Sequence, residues 1–415
     1  MLNPGFRRAD ADACPGALRL HAAADGPLAR VRLPGGRLTG GQLRVVRELA
    51  EEFGDGHIEL TSRANLQLRA LTTAPAEILE TRLTAAGLLP SATHELVRNI
   101  AASPLSSAQG AAYVRRLDAA LCADDRLAEL PGRFLFALDS GALDVARSAD
   151  VATVPVAALT DAGQEADGEV AVLFAGVDVG LRVAAGDSVG ALLAGAHAFL
   201  SEREAQRGSD QVAWRVRELV DGPVRVAGRA AAALGVRLRG SGGVPEPGIR
   251  EPVGIIGSAA GLVALGAAVP LGRGSGVQMK VLEEAAAIVV TPWRGVVLPD
   301  LSPTAAREWQ AALADVGFEV ESGSRWSGVT ACAGRPGCAK SLADVRRDAA
   351  AVVAQGQTGS LPVHWVGCAR GCGSPAGQHV RVEATGAGYE VRAGGSSGFA
   401  AADEVGALVG AARRG

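Results

Sequence analysis

The alternation of apolar and polar residues between positions 28 and 71 predicts a β-α-β-β unit. In LARVRL, Arg30 and Arg32 share one face of a strand, because successive side chains of a strand point to opposite faces. Apolar residues then recur at helical spacing after Thr39, whose hydroxyl can cap a helix. IELT and LQLRAL follow as two short strands around the polar corner SRAN at 62–65. This order of elements is half of a ferredoxin-like motif.

The same pattern returns in the second half of the chain. GRLTGGQLRVV at 36–46 aligns without a gap on GRGSGVQMKVL at 272–282, and IELTSRANLQLRAL at 58–71 aligns on IVVTPWRGVVLPDL at 288–301. The separation of the copies far exceeds the periods of solenoid proteins. We therefore expect duplicated halves, with two such units packed around a pseudo-twofold axis.

Mixed helix and strand patterns follow each copy. In the first, RFLFALD (133–139) is predicted as a strand, 97–110 as a polar loop, and AVLFAGVDVGLRV as a hairpin that turns at Val179-Gly180. In the second, a helix follows Cys338 directly, and a final helix occupies roughly 400–413. The predicted units are a first ferredoxin-like half unit (1–72), a first α/β domain without a cluster (73–238), a linker (239–252), a second half unit (253–320) and a cluster domain (321–415).

Composition and charge narrow the class of protein. The chain has 415 residues, of which 48% are hydrophobic and 20% charged. Its net charge of −3 gives no indication of nucleic-acid binding, which usually requires an excess of positive charge. The N-terminus lacks the pattern of a secretion signal. The longest apolar run begins at Val253 and is rich in Gly and Ala, so we predict a buried strand and turn rather than a membrane span. We expect a cytoplasmic protein with neither nucleic acid nor membrane as a partner.

Four of the six cysteines lie between positions 332 and 372. Cys332 and Cys338 are separated by five residues and Cys368 and Cys372 by three, and both pairs lie in Gly-rich segments. Clustered thiols in a chain without a secretion pattern favour metal binding over disulfides. Structural zinc usually takes cysteines two to four residues apart. A [4Fe-4S] cluster, which four thiolates can also hold, is therefore favoured over zinc.

Four stretches resemble the nitrite/sulfite reductase superfamily. They are RVRLPGG (30–36), IELTSRANLQLR (58–69), VRNIAASP (97–104) and the C-x5-C…C-x3-C block. The resemblance implies an α+β fold with a duplicated nitrite/sulfite reductase-like architecture, in which two ferredoxin-like half units pack on two α/β units with pseudo-twofold symmetry. It also implies a [4Fe-4S] cluster on the four cysteines. In the reductases, the cysteine that matches Cys372 also bridges to the iron of a sirohaem.

Within that superfamily, LPGRFLFALD (130–139) and GCARGC resemble the precorrin-3B synthases. The reductases carry two cationic residues at the positions matching Arg133 and Leu135, where they bind and protonate a small anion. Leucine holds no charge and donates no proton, so reduction of sulfite or nitrite is put in doubt. The resemblance implies instead an oxygen-dependent monooxygenase of aerobic cobalamin biosynthesis, which hydroxylates precorrin-3A at C20 and forms a γ-lactone.

The same resemblance implies further cofactors and partners. The synthases carry a non-haem iron beside the [4Fe-4S] cluster, and no motif of this sequence identifies its ligands. Sirohaem would be present only under the alternative function, a sulfite or nitrite reductase. Because no NAD or flavin motif is recognisable, electrons would arrive from a separate ferredoxin or NAD(P)H reductase. A third possibility is a cluster-bearing electron carrier or redox sensor without catalysis.

Arginine residues are the candidates for binding the tetrapyrrole, because its acetate and propionate carboxylates suit the planar guanidinium fork. Arg63, Arg98 and one of Arg30 and Arg32 match positions that bind the macrocycle or the anion in the reductases. We predict catalytic roles for Arg63, Arg98 and Arg133, although each could be a solvated or salt-bridged surface residue. The predicted substrate-binding residues are Arg30, Arg32, Arg63, Asn65, Gln67, Arg69, Arg98 and Asn99.

Overall fold

The computed structural model describes residues 14–159, 168–208, 212–245, 251–257, 261–356, 359–375 and 377–414. Part of the predicted linker (246–250) and the start of the predicted first half unit (1–13) lie outside the described residues. The described strands form four five-stranded sheets. Helices and sheets are mixed along the chain, as the predicted α+β class requires.

The first ferredoxin-like unit forms where the alternation predicted it. Its elements are β1 (His21–Ala23), β2 (Gly26–Val31), β3 (Arg37–Leu38), α1 (Gly40–Phe53), β4 (His57–Leu60), β5 (Leu66–Leu68) and α2 (Ala76–Ala85). α1 begins after Thr39, whose hydroxyl accepts the N–H of Gln42 at 3.2 Å while the Gln42 side chain accepts the N–H of Thr39 at 2.9 Å. Such a capping box satisfies N–H groups that the helix itself cannot pair.

The first α/β unit follows with a mixed sheet. Its elements are β6 (Ile100–Ala102), α3 (Ala108–Cys122), β7 (Phe136–Leu138), β8 (Val151–Pro155), β9 (Glu169–Phe174), β10 (Val177–Ala184), α4 (Ser188–Ala205) and α5 (Gly222–Leu234). β6, β7 and β8 run parallel, whereas β9 and β10 complete the sheet in antiparallel fashion. The parallel strands are buried on both faces, as is usual when helices cover such a sheet.

The second ferredoxin-like unit repeats the order of the first. It contains β11 (Gly254–Gly257), β12 (Val263–Ala268), β13 (Arg273–Ser275), α6 (Gly276–Leu282), β14 (Ile288–Val290), β15 (Gly295–Leu301) and α7 (Pro303–Asp315). Ser275 and Gln278 form the same capping box at the start of α6 that Thr39 and Gln42 form at α1. The alignment of residues 272–282 on 36–46 is thus confirmed by equivalent local geometry.

The last unit carries the four cysteines. It contains β16 (Val329–Ala331), α8 (Val345–Ala354), β17 (Val363–Val366), β18 (Val380–Ala384), β19 (Tyr389–Ala393), β20 (Ser396–Ala400) and α9 (Val405–Arg414). β16, β17 and β18 are parallel, and β19 and β20 are antiparallel. Trp365 on β17 packs edge-on against Tyr389 with 5.1 Å between ring centroids, which anchors the centre of this sheet.

The two ferredoxin-like units exchange a strand. β13 of the second unit pairs with β4 of the first, with Gly274 opposite Ile58. In return, β3 of the first unit pairs with β14 of the second, with Leu38 opposite Ile288. Both units also contribute to one continuous hydrophobic core. This reciprocal pairing agrees with the predicted pseudo-twofold arrangement and joins the two halves into one layer.

Several local predictions differ from the structure. The predicted loop 97–110 contains β6, because its apolar residues are buried between neighbouring strands and helices. The predicted hairpin turns at Ala175 and Gly176, both with positive φ, whereas Val179 and Gly180 lie at an irregularity within β10. The helix of the cysteine unit begins at Val345, not directly after Cys338. No described helix is long and apolar enough to cross a membrane.

Candidate functional site

Two neighbouring parallel strands bring the cysteine loops side by side. Ala331 at the end of β16 lies opposite Trp365 of β17, and Cys332 and Cys368 follow these strands at the same edge of the sheet. The N–H of Cys332 donates to the carbonyl of Trp365 at 2.9 Å. The N–H of Gly367 donates to Sγ of Cys332 at 3.2 Å. The tertiary structure thus joins two segments that are 29 residues apart in the sequence.

Cys338 and Cys372 lie further out on the same two loops. The carbonyl of Cys338 accepts the N–H of Ser341 at 3.0 Å, which closes a tight turn. Nε2 of the buried His364 lies 3.0 Å from the carbonyl oxygen of Cys372, and its Nδ1 lies 2.7 Å from the hydroxyl of Thr330. His364 therefore connects the loop of Cys372, through Nε2, to Thr330 of β16, through Nδ1.

The donor set fits an iron–sulfur cluster in the kind of ligand, since four thiols lie on two neighbouring loops. None of Cys332, Cys338, Cys368 and Cys372 is in a disulfide. Burial raises the pKa of Cys332, while N–H groups of Gly367 and Gly334 act in the opposite direction, as donors to a thiolate do. Among the described residues, however, no three Cys, His, Asp or Glu side chains converge closely enough to hold a metal ion. The assignment of all four cysteines as ligands stays a prediction.

A cavity of about 220 Å³ lies where the cysteine loops meet both ferredoxin-like units. Its wall combines strands of the first sheet, the turn of the second unit and the cysteine loops. Four arginine side chains surround it, and Cys332 and Cys372 border it on one side. The lining side chains that carry charge, hydrogen bonds or sulfur are those of Arg30, Glu59, Thr61, Ser62, Gln67, Arg69, Arg294, Arg346, Cys332 and Cys372.

A continuous polar network crosses this cavity. Nη2 of Arg30 donates to Gln67 at 3.0 Å, and Nε2 of Gln67 donates to the carboxylate of Glu59 at 2.7 Å. The other oxygen of Glu59 lies 2.6 Å from Nη2 of Arg346. Nε of Arg346 then donates to the carbonyl of Cys332 at 3.2 Å. The network connects the strand that carries Arg30 to the first cysteine of the site.

Sequence reasoning missed Glu59 and Arg346. Glu59 is the middle residue of the polar network and is 8% exposed. One signal was present: in the β4–β5 pair Glu59 lies opposite Gln67, which the sequence did single out. Arg346 is on a helix 287 residues further along, and no local pattern connects the two.

Arg30 lies on β2, whereas Arg32 follows the end of that strand at Val31, and their surroundings differ. Arg30 lines the cavity, whereas Arg32 donates to the carbonyls of Leu96 and Pro15 and does not line it. Burial lowers the pKa of both, and that of Arg32 to about 9. Within the described residues, Nε of Arg30 and Nη2 of Arg32 have no hydrogen-bond acceptor. Buried donors of this kind are usually paired, so Arg30 has capacity for a ligand.

Arg69, Gln67 and Asn65 hold parts of the site together. Nε and Nη2 of Arg69 donate to Asp25 at 2.8 and 2.9 Å, and Nη2 also donates to the carbonyl of Gly337 at 2.7 Å. Arg69 therefore lines the cavity and fixes the loop before Cys338. Oδ1 of Asn65 accepts the N–H of Leu33 at 2.8 Å, so Asn65 orients a turn and does not line the cavity.

Arg63 and Arg133 contact each other at the first α/β unit, and neither lines the cavity beside Cys332 and Cys372. Nη2 of Arg63 donates to the carbonyl of Arg133 at 3.0 Å and Nη1 to that of Gly132 at 3.4 Å. Burial, followed by the charge of Arg215, lowers the pKa of Arg63 to about 10. Arg133 is exposed, with its guanidinium 5.8 Å from the ring centroid of Trp214. Their catalytic roles stay predictions.

Arg98 and Asn99 lie outside the cavity. Arg98 is 3% exposed and forms two hydrogen bonds of 2.7 Å with Asp118, while Nη1 donates to the carbonyl of Leu88 at 3.1 Å. The side chain of Asn99 donates to the carbonyls of Leu96 and Gly132. The structure thus gives both residues internal partners, whereas the sequence predicted contact with substrate.

Arg98→Met is expected to lower the free energy of unfolding by about 3 kcal/mol, because Asp118 loses its buried partner. Urea unfolding followed by circular dichroism measures this. Arg98→Met combined with Asp118→Leu should recover most of the loss, since an apolar pair can replace a buried ion pair. Unchanged stability together with weaker tetrapyrrole binding would contradict the structural role and support the predicted substrate contact.

Leu135 places no charge at the position where the reductases are expected to carry a second cation. Its side chain is 5% exposed and packs with Ala101, Ala137 and Val154 in an apolar cluster of the first α/β unit. Its N–H donates to Asp150 at 2.9 Å. At this position the chain has a core residue and no second cation next to Arg133.

The corresponding edge of the first α/β unit carries carboxylates where the last unit carries cysteines. Loops after β6 and β7 occupy the places of the loops after β16 and β17, and they hold Ser103, Asp139 and Asp144. Four N–H groups donate to Asp139, and Ser103 donates to Asp144 at 2.6 Å. Burial, opposed by Ser103 and reinforced by Asp139, raises the pKa of Asp144 to about 6.

This shift predicts a pH dependence of stability. The folded state retains the Asp144 proton more tightly than the unfolded chain, whose aspartates titrate near pH 3.9. The stabilisation is therefore present below about pH 4 and is lost, by up to about 3 kcal/mol, as the pH rises through about 6. Asp144→Asn should remove this loss. Urea unfolding of both proteins at several pH values between 4 and 7 measures it, and parallel curves would contradict the expectation.

Residues 21–86 match the nitrite/sulfite reductase ferredoxin-like half domain. Over the whole chain, the structure of the Mycobacterium tuberculosis NirA protein superposes with a TM-score of 0.74 and 21% identity, covering 92% of this chain and 79% of that one. The chain has the nitrite/sulfite reductase-like fold. The fold implied by the resemblance stated from the sequence is confirmed.

Relatives within this fold include two kinds of oxidoreductase. A precorrin-3B synthase of Sinorhizobium is 27% identical over 387 residues, which covers 91% of this chain and 81% of that enzyme. A ferredoxin–nitrite reductase of Synechococcus elongatus is 26% identical, covering 84% of this chain and 74% of that enzyme. That of Leptolyngbya laminosa is 40% identical over 79 residues, only 16% of its length. The resemblance to precorrin-3B synthases stated from the sequence is thus confirmed.

The ferredoxin-like half domain also bears on the predicted boundary at residue 72. The match extends to residue 86 and so includes α2. α2 packs on α1 through Arg82, which lies 2.9 Å from Glu48 and 2.7 Å from Glu52. These contacts associate α2 with the ferredoxin-like unit, whereas the other predicted boundaries stay predictions.

Proposed function

We propose that this protein is an oxygen-dependent monooxygenase of the precorrin-3B synthase type. It would hydroxylate precorrin-3A at C20, with the ring-A acetate closing a γ-lactone. The observation that carries the proposal is the cavity in which the cationic first sheet meets the cysteine loops. Similarity to a precorrin-3B synthase over 91% of the chain supports the choice of substrate.

The reaction requires electrons from outside the substrate. One atom of O2 enters precorrin-3A, and the other leaves as water after it takes up two electrons and two protons. A separate ferredoxin or NAD(P)H-dependent reductase would supply these electrons. A [4Fe-4S] cluster on the four cysteines would supply one-electron transfer between that donor and the site. For the non-haem iron expected from the resemblance, we assign no ligands.

The arginines of the cavity would bind the carboxylates of the substrate. Arg30 offers an Nε–H without an acceptor among the described residues, next to the Gln67–Glu59 pair. The cavity, at about 220 Å³, is smaller than the 300–1,000 Å³ of typical pockets for drug-sized ligands. It would therefore take one carboxylate-bearing edge of the macrocycle, and the remainder of the ring would lie outside it.

A sirohaem-dependent nitrite or sulfite reductase is the alternative, and the nitrite reductase of Synechococcus elongatus supports it over 84% of the chain. Leu135 argues against this function, since it is a core residue where the reductases are expected to have a cation. Absorption of the purified protein separates the two. A strong Soret band with a further band to the red indicates sirohaem, whereas a broad shoulder near 400 nm alone indicates a cluster without it.

The decisive experiment is anaerobic reconstitution with iron and sulfide, followed by an assay with precorrin-3A, O2 and a reductant. We expect uptake of O2 that depends on precorrin-3A, and a product heavier by one oxygen atom. Labelling with 18O2 places that atom by mass spectrometry. Lack of precorrin-3A binding together with lack of O2 uptake would refute the proposal and favour a simple electron carrier.

A further inference from the structure

Each ferredoxin-like unit carries one arginine in its equivalent turn, but at consecutive positions. The turns are Thr61–Asn65 and Thr291–Gly295, and in each the threonine hydroxyl accepts the N–H of the last residue at 3.1 Å. The threonine N–H also donates to the carbonyl of that residue at 2.9 Å in both turns. In this common frame Arg63 matches Trp293, and Ala64 matches Arg294. Because of this shift by one position, the side chain of Arg63 contacts the first α/β unit and that of Arg294 contacts the last unit.

The backbone at Arg294 has a conformation that disfavours side chains. Its φ is 65°, and Ala64 in the equivalent position has a φ of 56°. Residues with a Cβ are uncommon in this left-handed region and cost of order 1–3 kcal/mol there. An arginine in this position therefore needs a compensating interaction.

The guanidinium of Arg294 reaches the cysteine loops. Nη1 donates to the carbonyl of Ala331, the residue before Cys332, at 3.3 Å. Two glycines make room for the side chain. A Cβ added at Gly373, next to Cys372, would lie 2.9 Å from Nη2, and one added at Gly272 would lie 2.8 Å from Cβ and Cδ of Arg294. The chain thus accommodates this arginine at both ends of its side chain.

The guanidinium of Arg294 lies in the cavity near other charged groups. Burial lowers its pKa, as does Arg346, whereas Glu59 and Cys332 oppose that change. Arginine nevertheless stays cationic in proteins under ordinary conditions. Arg294 is partly buried. Interactions between charges are stronger there than at a fully exposed surface, because water screens them less. An additional negative charge at the cysteines would therefore be stabilised by this guanidinium.

We infer that Arg294 is a positioning residue that sets the reduction potential of the group held by the cysteines. The inference depends on the proposed function, in which these cysteines hold a [4Fe-4S] cluster. One electron from the external donor adds one negative charge at the cysteine site, and the fixed cation favours that reduced state. Arg63, at the equivalent turn, lies at the first α/β unit and has no such effect.

Replacement of Arg294 by alanine tests this directly. Ala64 takes the same backbone conformation in the equivalent turn, so the turn should form in Arg294→Ala. The reconstituted protein is titrated with dithionite in the presence of redox mediators and followed by EPR. At a fixed potential we expect the ratio of reduced to oxidised centres to fall about tenfold, which is about 59 mV for a one-electron couple. Arg294→Lys keeps the charge and should restore most of the ratio.

Arg63→Ala is the matched control, and its midpoint potential should equal that of the unmodified protein. An Arg294→Ala protein that binds the cluster with an unchanged potential would overturn the inference and leave the proposed function standing. Loss of the cluster in Arg294→Ala but not in Arg294→Lys would also overturn it, because the residue would then be required for assembly. If the unmodified protein takes up no cluster, the proposed function fails first, and the inference fails with it.

Discussion

Cys372→Ser is expected to abolish both the cluster and the monooxygenase activity. Cys372 borders the cavity beside Cys332, and a serine hydroxyl is a much weaker ligand for iron than a thiolate. Cys368→Ser should have the same effect, because Cys368 lies on the same loop after β17. The measurements are the absorbance near 400 nm and the EPR signal of the reduced protein after anaerobic reconstitution, together with O2 uptake in the presence of precorrin-3A.

Cys122→Ser is the appropriate control for these variants. Cys122 ends α3 in the first α/β unit, where burial raises the pKa of its thiol, and it is remote from the cysteine loops in the sequence and in the fold. Its replacement should leave cluster content and activity unchanged. A full [4Fe-4S] EPR signal in Cys368→Ser or Cys372→Ser would refute the ligand assignment.

Arg30→Ala should weaken the binding of precorrin-3A by about 10- to 100-fold without loss of the cluster. Hydrogen bonds to charged groups contribute about 1.5–3 kcal/mol, and each 1.4 kcal/mol is a factor of ten in affinity. Arg30 lines the cavity and has an Nε–H without an acceptor among the described residues. Anaerobic fluorescence or absorbance titration with precorrin-3A measures the affinity, and the spectrum of the reconstituted cluster is recorded on the same sample.

Arg392→Ala serves as the control for Arg30→Ala. Arg392 is an exposed arginine on β19 whose guanidinium lies 2.6 Å from Glu390, away from the cavity. Its replacement tests whether the loss of any single positive charge weakens the binding of an anionic macrocycle. Equal effects of the two substitutions would indicate long-range electrostatics and would remove Arg30 from the binding site.

Arg98 shows why a match to a family motif is not enough to place a side chain. Its motif, VRNIAASP, resembles a tetrapyrrole-binding segment, and the sequence therefore predicted substrate contact. In the fold, α3 brings Asp118 within 2.7 Å of the guanidinium, which is buried. Asp118 lies on α3, 20 residues after Arg98, and no pattern in the sequence predicts that the two side chains are in contact.

Arg30 and Arg32 illustrate the same limit. The alternation predicted one strand through both residues, but β2 ends at Val31. The segment with Pro15 and the carbonyl of Leu96 cover Arg32, however, and leave Arg30 to line the cavity. Local periodicity determines the face of a strand, whereas the elements that pack on that face come from elsewhere in the chain.

Local order and duplication were evident in the sequence. Alternating and helical periodicities and the cap at Thr39 depend on neighbours within a few residues, and the alignment of the two copies is visible by direct comparison. The spacing of the cysteines likewise needs no knowledge of the fold. These features were sufficient to predict the two ferredoxin-like units and the place of the candidate cluster, and the resemblance to the nitrite/sulfite reductase superfamily added the class of fold.

The tertiary structure alone decided which side chains form the cavity. The exchange of β3 and β13 joins the halves, and Glu59 meets Arg346 only because α8 packs beside the first sheet. In the aligned turns Arg294 is one position later than Arg63, and its side chain therefore contacts the loop of Cys332 and not the first α/β unit. Contacts between residues hundreds of positions apart arise from the packing of whole units, and no short-range pattern in a single sequence records them.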